Sequence, residues 1–353
     1  MEPYKQLYYN ILIYRTPLNK DFTWEKTRVI NLGFDLGFFN NQLLLELDLY
    51  DRLTTGMIRP SQLSTILSGY SAPRVNMGNL RNRGIEMNLK WMSSVNKFNY
   101  GASFNFSYNR DRLEKWNERL GAGNTFIDMP YQFVYTMLST GIAQSWEDIY
   151  NAPIHNNNNM SPGDLLFVDL NGDGQVTAAD KKAYPALNMN RPTGNYGLNL
   201  FAEYKGFDIN MLFQGATGRK GYWMNRMNTT NVGSQRYTFQ KWHWNDTWNL
   251  TNRDAWFPRM IDGNGARSME QSSYFLQSMN YVRMKNLQVG YTFPKQWVNR
   301  MGIDKIRLYF SAENLFTLTG WDGLDPEKAT ISNFAEDPFP IMRTLSIGVN
   351  IGI

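Results

Sequence analysis

The stretch FVDLNGDGQVTAAD (residues 167–180) carries oxygen-bearing side chains at the spacing of a calcium-binding loop. Such loops place side-chain ligands at positions 1, 3, 5 and 12, a backbone carbonyl at position 7, a side chain or water at position 9 and a glycine at position 6. The matching residues are Asp169, Asn171, Asp173, Gln175 through its carbonyl, Thr177 and Asp180, with Gly174 at the turn. The pattern predicts a bound Ca²⁺, which Asp180 would reach through one oxygen because it is shorter than the usual glutamate.

The same residues also fit a simpler structure, a surface turn closed by hydrogen bonds from Asx side chains to the backbone. A calcium sensor would need an amphipathic helix on each side of the loop. Instead, Pro162 and Gly163 precede the loop, and Pro185 and Pro192 follow it. An ion bound here would therefore be structural, and the function must come from the architecture to which the loop is attached.

A second candidate site is the tryptophan-rich segment RYTFQKWHWNDTWNLTNRDAWFPR (residues 236–259). The indole faces of Trp242, Trp244, Trp248 and Trp256 could stack on sugar rings, so we predict them as substrate-binding residues. The alternative is that these side chains pack within their own loop or against a partner protein, as aromatic residues in loops often do.

Signatures of catalysis are missing from the sequence. It contains no GxSxG, phosphate-binding loop or HExxH motif, and without cysteine it has no thiol nucleophile or thiolate ligand. Glu46 and Asp48 are one strand step apart, roughly 7 Å, which is within range for glycosidase chemistry, but in the wall of a lumen they would set hydration and charge. Lys and Arg are scattered despite the net charge of +5, so a nucleic-acid partner is not expected. We expect a protein that is not an enzyme.

Alternation of apolar and polar residues is the dominant pattern along the chain, and it indicates β-strands. In RVINLGFDLGFF (residues 28–39) every second residue from Ile30 to Phe38 is apolar, and Asn40 and Asn41 then predict a tight turn into QLLLELDLYDR. The same alternation recurs in GIEMNLKWM, FNYGASFNFSYN, NYGLNLFAEYKGF, DINMLFQG, NLQVGYTF, KIRLYFSAENLF and TLSIGVNIGI, and more weakly at residues 7–14. Together these segments predict roughly ten strands.

Both a soluble β-sandwich and a membrane β-barrel produce such alternation. Strand length favours the barrel, because sandwich strands mostly have about five or six residues, whereas a tilted spanning strand needs about 9 to 11. The polar faces are rich in Gly, Asn, Ser and Thr, and aromatic residues gather toward strand ends, as at Trp91, Tyr108 and Tyr204. We therefore predict an all-β fold, a partial transmembrane antiparallel β-barrel with long extracellular loops.

Several phrases along the chain carry a more specific signal. They are NKDFTWEKTRVINLGFDLGFFNNQL, NMGNLRNRGIEMNL, PGDLLFVDLNGDGQVTAADK, YKGFDINMLFQGATG, SSYFLQSMNYVRMKNLQVGYTFPKQW, KIRLYFSAENLFTLTGWDGLDPE and PIMRTLSIGVNI. In this order they resemble the C-terminal part of SusC/RagA-type TonB-linked outer-membrane transporters. The resemblance covers nearly the whole chain from about residue 21 onward.

The resemblance implies a barrel of about 22 strands with a plugged lumen, in the outer membrane of a bacterium. It also implies import of glycans, oligosaccharides or peptides, energised through the TonB complex, and a SusD-like lipoprotein that closes the extracellular mouth and captures ligand. The loop at residues 169–180 would then lie on the extracellular side. Since the sequence shows no counterpart of a plug domain or signal peptide, we expect residues 1–353 to be one C-terminal barrel segment, in contact with outer-membrane lipid, that does not transport alone.

Two other classes of function remain open at this point. One is a soluble, calcium-stapled β-sandwich or adhesin that binds carbohydrate through the tryptophan-rich segment. The other is a carboxylate glycosidase, for which no residue pair is compelling. Solubility without detergent would distinguish the first from a barrel segment, and turnover abolished by a single substitution would identify the second.

Overall fold

A computed structural model describes residues 19–61, 73–117, 126–131, 133–155, 159–184, 191–222, 241, 245–260, 271–327 and 339–352. Most of these residues lie in strands. The helical elements include the helices Trp146–Asn151 and Lys295–Val298 and the 3₁₀ turns Ala178–Asp180 and Asn299–Met301. Within the described residues, no helix is long and apolar enough to cross a membrane.

Strands occur throughout the described residues. In chain order they are β1 (Lys26–Phe38), β2 (Leu43–Pro60), β3 (Arg74–Val95), β4 (Phe98–Trp116), β5 (Val134–Met137), β6 (Ser139–Ile142), β7 (Ile154–His155), β8 (Leu165–Phe167), β9 (Gln175–Val176), β10 (Lys181–Tyr184), β11 (Gly194–Tyr204), β12 (Phe207–Thr217), β13 (Lys220–Tyr222), β14 (Leu276–Ser278), β15 (Tyr281–Thr292), β16 (Lys305–Thr319) and β17 (Thr344–Gly352). Nine of them form one sheet in the order β1-β2-β3-β4-β11-β12-β15-β16-β17. The described registers from β4 to β17 are all antiparallel.

These nine strands are the nine segments with strong alternation in the sequence, so that prediction is confirmed. The weaker candidate at residues 7–14 lies outside the described residues. The strands of the sheet have 9 to 22 residues, long enough to span a membrane when tilted. A sandwich would need a second large sheet, whereas the other sheets among the described residues have two strands each. The fold is all-β, and the sheet is part of a transmembrane β-barrel.

The two faces of the sheet differ in chemistry, and adjacent rows across the strands show this directly. One row runs from Ile209 through Val289 and Phe310 to Ile347, each paired with the next across β12, β15, β16 and β17. The next row runs through Asn210, Gln288, Ser311 and Ser346. Since side chains alternate between the faces of a strand, one face is an apolar band and the other is polar. The apolar band is exposed, as at Ile347, where 79% of the residue is accessible.

Tight turns connect strands at one end of the sheet, and aromatic side chains gather there. Lys205 and Gly206 join β11 to β12 with φ values of 47° and 90°, the two positive angles of a type I′ hairpin turn. The rings of Phe207 and Tyr291 lie 4.5 Å apart, and those of Phe98 and Tyr204 lie 6.1 Å apart. Such clusters match the aromatic girdle that barrels carry at a membrane interface.

The described residues fall into two compact units. One lies within Met1–Asn31, Tyr50–Arg83 and Arg110–Tyr131, and the other lies within Leu32–Leu49, Gly84–Asn109 and Gln132–Ile353. In the first unit, Arg81 pairs with Asp51 and Glu114 from neighbouring strands.

The second unit contains long loops with a small core of their own. Two-stranded sheets join β5 to β10, β6 to β8 and β13 to β14 in antiparallel fashion, while β7 and β9 are parallel. The core consists of Met137, Leu165, Phe167, Val176, Tyr222 and Phe275. The loops are therefore folded structures, and the candidate site residues are built on them.

Candidate functional site

The polar face of the sheet carries the ionisable side chains that would line a lumen. Arg307 on β16 donates from Nε to Asp208 Oδ1 at 2.9 Å and from Nη2 to Gln288 Oε1 at 3.1 Å. Glu46 and Asp48 line a cavity of about 410 Å³ on the same face as Glu86, and Asn88 Nδ2 donates to Glu46 at 3.0 Å. This face therefore carries a paired arginine at Arg307 and, at another place, a group of carboxylates around a cavity.

The predicted calcium loop is held by one strand that precedes it and by another that lies within it. It follows β8, whose Phe167 is buried in the loop core, and it contains β9, whose Val176 is buried in the same core. The backbone N–H of Ile154 donates to Gly174 O at 2.9 Å, next to the parallel pairing of β7 with β9. The loop is thus anchored to two separate parts of the chain.

Within the loop, the predicted ligand side chains accept hydrogen bonds from the backbone. Asp169 accepts from the N–H groups of Gly172 and Gly174, both at 2.7 Å. Asn171 Oδ1 accepts from Asp173 N at 2.9 Å, and Asp173 Oδ1 accepts from Gln175 N at 2.8 Å. These are the Asx turns of the simpler interpretation, and they also orient carboxylate oxygens toward the inside of the turn.

Asp180 closes the loop from its far end. It is fully buried, and its carboxylate accepts from the N–H groups of Thr177 at 2.7 Å and Leu170 at 2.9 Å. The hydrogen bond from the Thr177 N–H is the main cause that lowers the pKa of Asp180; burial opposes it, and the bonds from Asn171 and Leu170 reinforce it. A charged carboxylate at position 12 therefore holds the loop closed from within the protein.

The donor chemistry of the loop suits calcium, since every predicted ligand offers oxygen. Among the residues that the structure describes, however, no group of three or more His, Cys, Asp or Glu side chains is arranged to hold a metal ion. The Asx turns close the loop through its own hydrogen bonds. Calcium binding by Asp169, Asn171, Asp173, Gln175, Thr177 and Asp180 stays a prediction.

The four predicted tryptophans divide into two groups. Trp248 is 6% exposed, and its Nε1 donates to Gln144 Oε1 at 2.9 Å. Trp256 packs against the loop core, with ring centroids 4.6 Å from Phe257 and 5.5 Å from Tyr274. Both side chains therefore pack within the protein, which was the alternative to ligand stacking. Trp248 also lines an open cleft. Trp242 and Trp244 lie outside the described residues, so ligand stacking by this segment stays a prediction.

The hydroxyl of Tyr274 is hydrogen-bonded within the loop core. It donates to Trp256 O at 2.6 Å. Burial, reinforced by the nearby charge of Asp246, raises the pKa of Tyr274 to about 12. The phenol therefore stays a neutral donor at physiological pH.

Two ion pairs that are absent from the sequence prediction hold the loops. Arg259 binds Asp164, which is completely buried, and Arg283 binds Asp325. In the sequence these partners are separated by 95 and 42 residues, and neither pair forms a local motif. The one sequence signal is that Arg283 falls on the polar side of an alternating strand, where a charged side chain is expected to pair with an opposite charge.

Comparison with known proteins extends this structural result. The chain is 28% identical to TonB-dependent receptor P3 of Formosa agariphila, over 94% of this chain and 34% of that protein. It is 25% identical to TonB-dependent receptor SusC of Bacteroides thetaiotaomicron, over 94% of this chain and 32% of that protein. The chain thus spans about a third of the length of the curated relatives it matches.

Solved structures show the same fold. The structure of the RagAB peptide transporter matches with a TM-score of 0.75 and 25% identity, over 94% of this chain and 36% of that chain. The RagAB peptide importer in its closed-closed state matches with a TM-score of 0.75 and 26% identity. The family described as TonB dependent receptor-like, beta-barrel matches residues 3–211, more than half of the sequence. This match, together with the nine-stranded sheet and its apolar outer band, shows that the chain belongs to the TonB-dependent receptor β-barrel family.

Proposed function

We propose that this chain forms barrel wall and outer loops of a TonB-dependent importer in a bacterial outer membrane, with glycans, oligosaccharides or peptides as cargo. The observation that carries the proposal is the pair of adjacent rows across β12 to β17, one apolar and exposed and the other polar. An apolar band suits lipid, and a polar face suits a water-filled path. The peptide transport stated for RagAB supports peptides as one cargo class, and the resemblance to SusC-type transporters suggests the glycans and oligosaccharides.

The proposed partners follow from the same family. The energy source would be the TonB complex, and a SusD-like lipoprotein would cover the extracellular mouth, in line with the name SusC and with the similarity to the RagAB structures. The long, folded loops of the second unit offer a surface for such a lid. This chain would act by positioning and passage of cargo, without covalent chemistry.

The orientation of the sheet can be tested with two substitutions one residue apart. Phe310 lies in the apolar row and Ser311 in the polar row of β16. Phe310→Arg should destabilise the membrane-inserted protein by about 2–4 kcal/mol if it lies near the bilayer centre, whereas Ser311→Arg should cost far less. Folding titrations in lipid vesicles measure both values. Equal costs for the two variants would refute the assignment of the faces.

Import itself requires a test in the native host. Deletion of the gene should abolish growth on, and uptake of, at least one member of a panel of oligosaccharides and peptides, and re-expression should restore it. An antibody against this chain should detect it in the outer-membrane fraction. A soluble protein, or uptake unchanged for the whole panel, would refute the proposal.

We also propose that the loop from Asp169 to Asp180 binds a structural Ca²⁺. Its oxygen donors and its two turn glycines support this, since both favour a hard cation held by a tight loop. Calorimetric titration of calcium into the purified chain should give heat and a higher thermal midpoint. Asp173→Ala should lose both effects, whereas Asp128→Ala, which removes an exposed aspartate elsewhere, should retain them. No heat with the unmodified chain would refute calcium binding and leave the Asx turns as the whole structure.

A further inference from the structure

A cleft in the long loops combines apolar walls with a single charged side chain. Its lining residues are Thr247, Trp248, Asn249, Leu250, Arg259 and Met260, and its volume is about 490 Å³. That volume lies in the range of small-molecule sites. Leu250 forms an apolar edge that is 75% exposed. Arg259 is the charged member of this lining.

Arg259 uses only part of its hydrogen-bonding capacity within the protein. Its Nε donates to Asp164 Oδ1 at 2.8 Å and its Nη2 to Asp164 Oδ2 at 3.1 Å. Its Nη1 has no partner among the residues that the structure describes, and the side chain is 28% exposed. Of the five N–H groups of the guanidinium, three therefore remain, two on Nη1 and one on Nη2.

The guanidinium is held in place from behind. Asp164 is completely buried, and its Oδ2 also accepts from Ser161 N at 2.9 Å. The backbone N–H of Arg259 donates to Gly163 O at 2.8 Å. Because the carboxylate and the backbone fix two sides of the arginine, its free edge keeps one direction, and little side-chain entropy is lost when a ligand binds.

Gly163 brings the two walls of the cleft together. A β-carbon on this residue would lie 2.4 Å from Trp248 Cε3 and 2.7 Å from Arg259 Cβ, so both side chains pack on bare backbone. Its φ of +94° also favours glycine. Trp248 is fixed by its hydrogen bond to Gln144. The indole of Trp248 and the β-carbon of Arg259 are therefore held next to each other across Gly163.

We propose that this cleft binds a carboxylate that is attached to an apolar or ring-shaped group. The free N–H groups of Arg259 would donate charge-assisted hydrogen bonds to the carboxylate, and Trp248 and Leu250 would contact the attached group. Two cargo sources carry this chemistry, the C-terminus of an oligopeptide and the uronate of an acidic oligosaccharide. This inference rests on the proposed import function and narrows its cargo at one site.

The test is calorimetric titration of the full chain, purified in detergent, with four probes. They are acetyl-glycyl-glycyl-leucine with a free C-terminus, its C-terminal amide, a galacturonic acid trimer and a neutral galactose trimer. At least one acid should bind at least about tenfold more tightly than its uncharged counterpart, since hydrogen bonds to charged groups are stronger than those between neutral groups. Binding of only the peptide acid identifies a peptide source, binding of only the uronate identifies a saccharide source, and binding of both supports the shared carboxylate. Equal binding of acids and their neutral counterparts, or no binding, would overturn the proposal.

Variants separate ligand binding from folding. Arg259→Lys keeps a cation beside the buried Asp164 but loses the paired hydrogen bonds and the free edge, so it should weaken acid binding by at least about tenfold in a chain that still folds, with a lower thermal midpoint. Arg253→Lys, at an exposed arginine of the same loop, is the matched control and should leave binding unchanged. Leu250→Ser should weaken binding of the leucine peptide without affecting the fold. Equal acid affinity in the Arg259→Lys and Arg253→Lys variants would refute the role of Arg259. Because binding is measured on the purified chain, a negative result here can be distinguished from a loss of uptake in the host.

Discussion

Arg283 forms a buried ion pair whose loss should weaken the second unit. It is 3% exposed, and it donates from Nη2 to Asp325 at 2.9 Å, from Nη1 to Glu327 at 2.7 Å and from Nε to Thr317 at 2.9 Å. Asp325 is 4% exposed and belongs to the segment that follows β16. One guanidinium thus ties this segment to β15 and β16.

Arg283→Met would leave the buried carboxylate of Asp325 without its cation. Loss of one partner from a buried ion pair typically costs about 3–5 kcal/mol of unfolding free energy. Arg112→Met is the matched control, because the Arg112–Asp128 pair is 59% and 64% exposed and should contribute less than about 1 kcal/mol. Urea titration of the chain in lipid vesicles measures both costs.

A double substitution checks the cause of the effect. Arg283→Met combined with Asp325→Asn removes the unpaired charge, so it should recover part of the stability lost in Arg283→Met alone. If Arg283→Met costs no more than Arg112→Met, the buried pair does not hold the segment and this reasoning fails. If the double variant is no more stable than the single one, the cost comes from lost packing and not from the charge.

The same pair gives a pH dependence with a definite sign. Burial of Asp325 opposes its ionisation, but hydrogen bonds from the N–H groups of Ile341 and Glu327, together with Arg283, outweigh this and lower its pKa below the usual 3.8. Its contribution to stability is therefore present above about pH 4 and is lost as the pH falls through the lowered pKa. Arg283→Met should reduce the acid sensitivity of unfolding, and an unchanged acid profile would contradict the assignment.

Three smaller perturbations test the loop core and the candidate calcium loop. Gly163→Ala should cost more than Gly172→Ala, because both glycines have positive φ but only the β-carbon at position 163 meets other atoms; equal thermal midpoints would contradict this packing. Asp180→Ala should make the loop from Asp169 to Asp180 sensitive to proteolysis at neutral pH. The wild-type protein should become equally sensitive only as the pH falls through the lowered pKa of Asp180. If cleavage depends on neither the substitution nor the pH, Asp180 does not hold the loop closed. Tyr274→Phe should lower the unfolding free energy by about 1 kcal/mol through loss of the hydrogen bond to Trp256 O, and a midpoint equal to that of the unmodified chain would show that this bond contributes nothing.

The sequence alone was sufficient to predict the strands of the sheet and the local turns. Alternation with a period of two identified all nine strands of the sheet, because each side chain must face either the apolar or the polar side. Asn40 and Asn41 both adopt positive φ between β1 and β2, as their position predicted. Gly174, at the predicted turn of the acidic loop, has a φ of +82°. These features depend on neighbours in the chain, so local pattern reveals them.

The side-chain contacts inside the long loops could not be predicted from the sequence, for a physical reason. Arg259 and Asp164 meet only because Gly163 and the segment around Trp248 come together, and nothing near either residue specifies the other. The indole of Trp248 was predicted to face ligand, yet most of its surface is covered by the loop itself. Long-range pairing of this kind follows from the folded core, and the core follows from contacts between segments more than 80 residues apart in the chain, such as Phe167 and Phe275.

The architecture separates two tasks that make opposite demands on the chain. The sheet needs a regular apolar band for lipid, which leaves its strands little freedom to carry specific recognition. The long loops instead replace regular ladders with buried ion pairs, Asx turns and a small aromatic core, and each of these fixes side chains in one geometry. Rigid loops can therefore present a preorganised group such as the free edge of Arg259. If recognition resides there, loop substitutions such as Arg259→Lys should change cargo preference without altering assembly, whereas substitutions in the apolar row such as Phe310→Arg should impair assembly for every cargo alike.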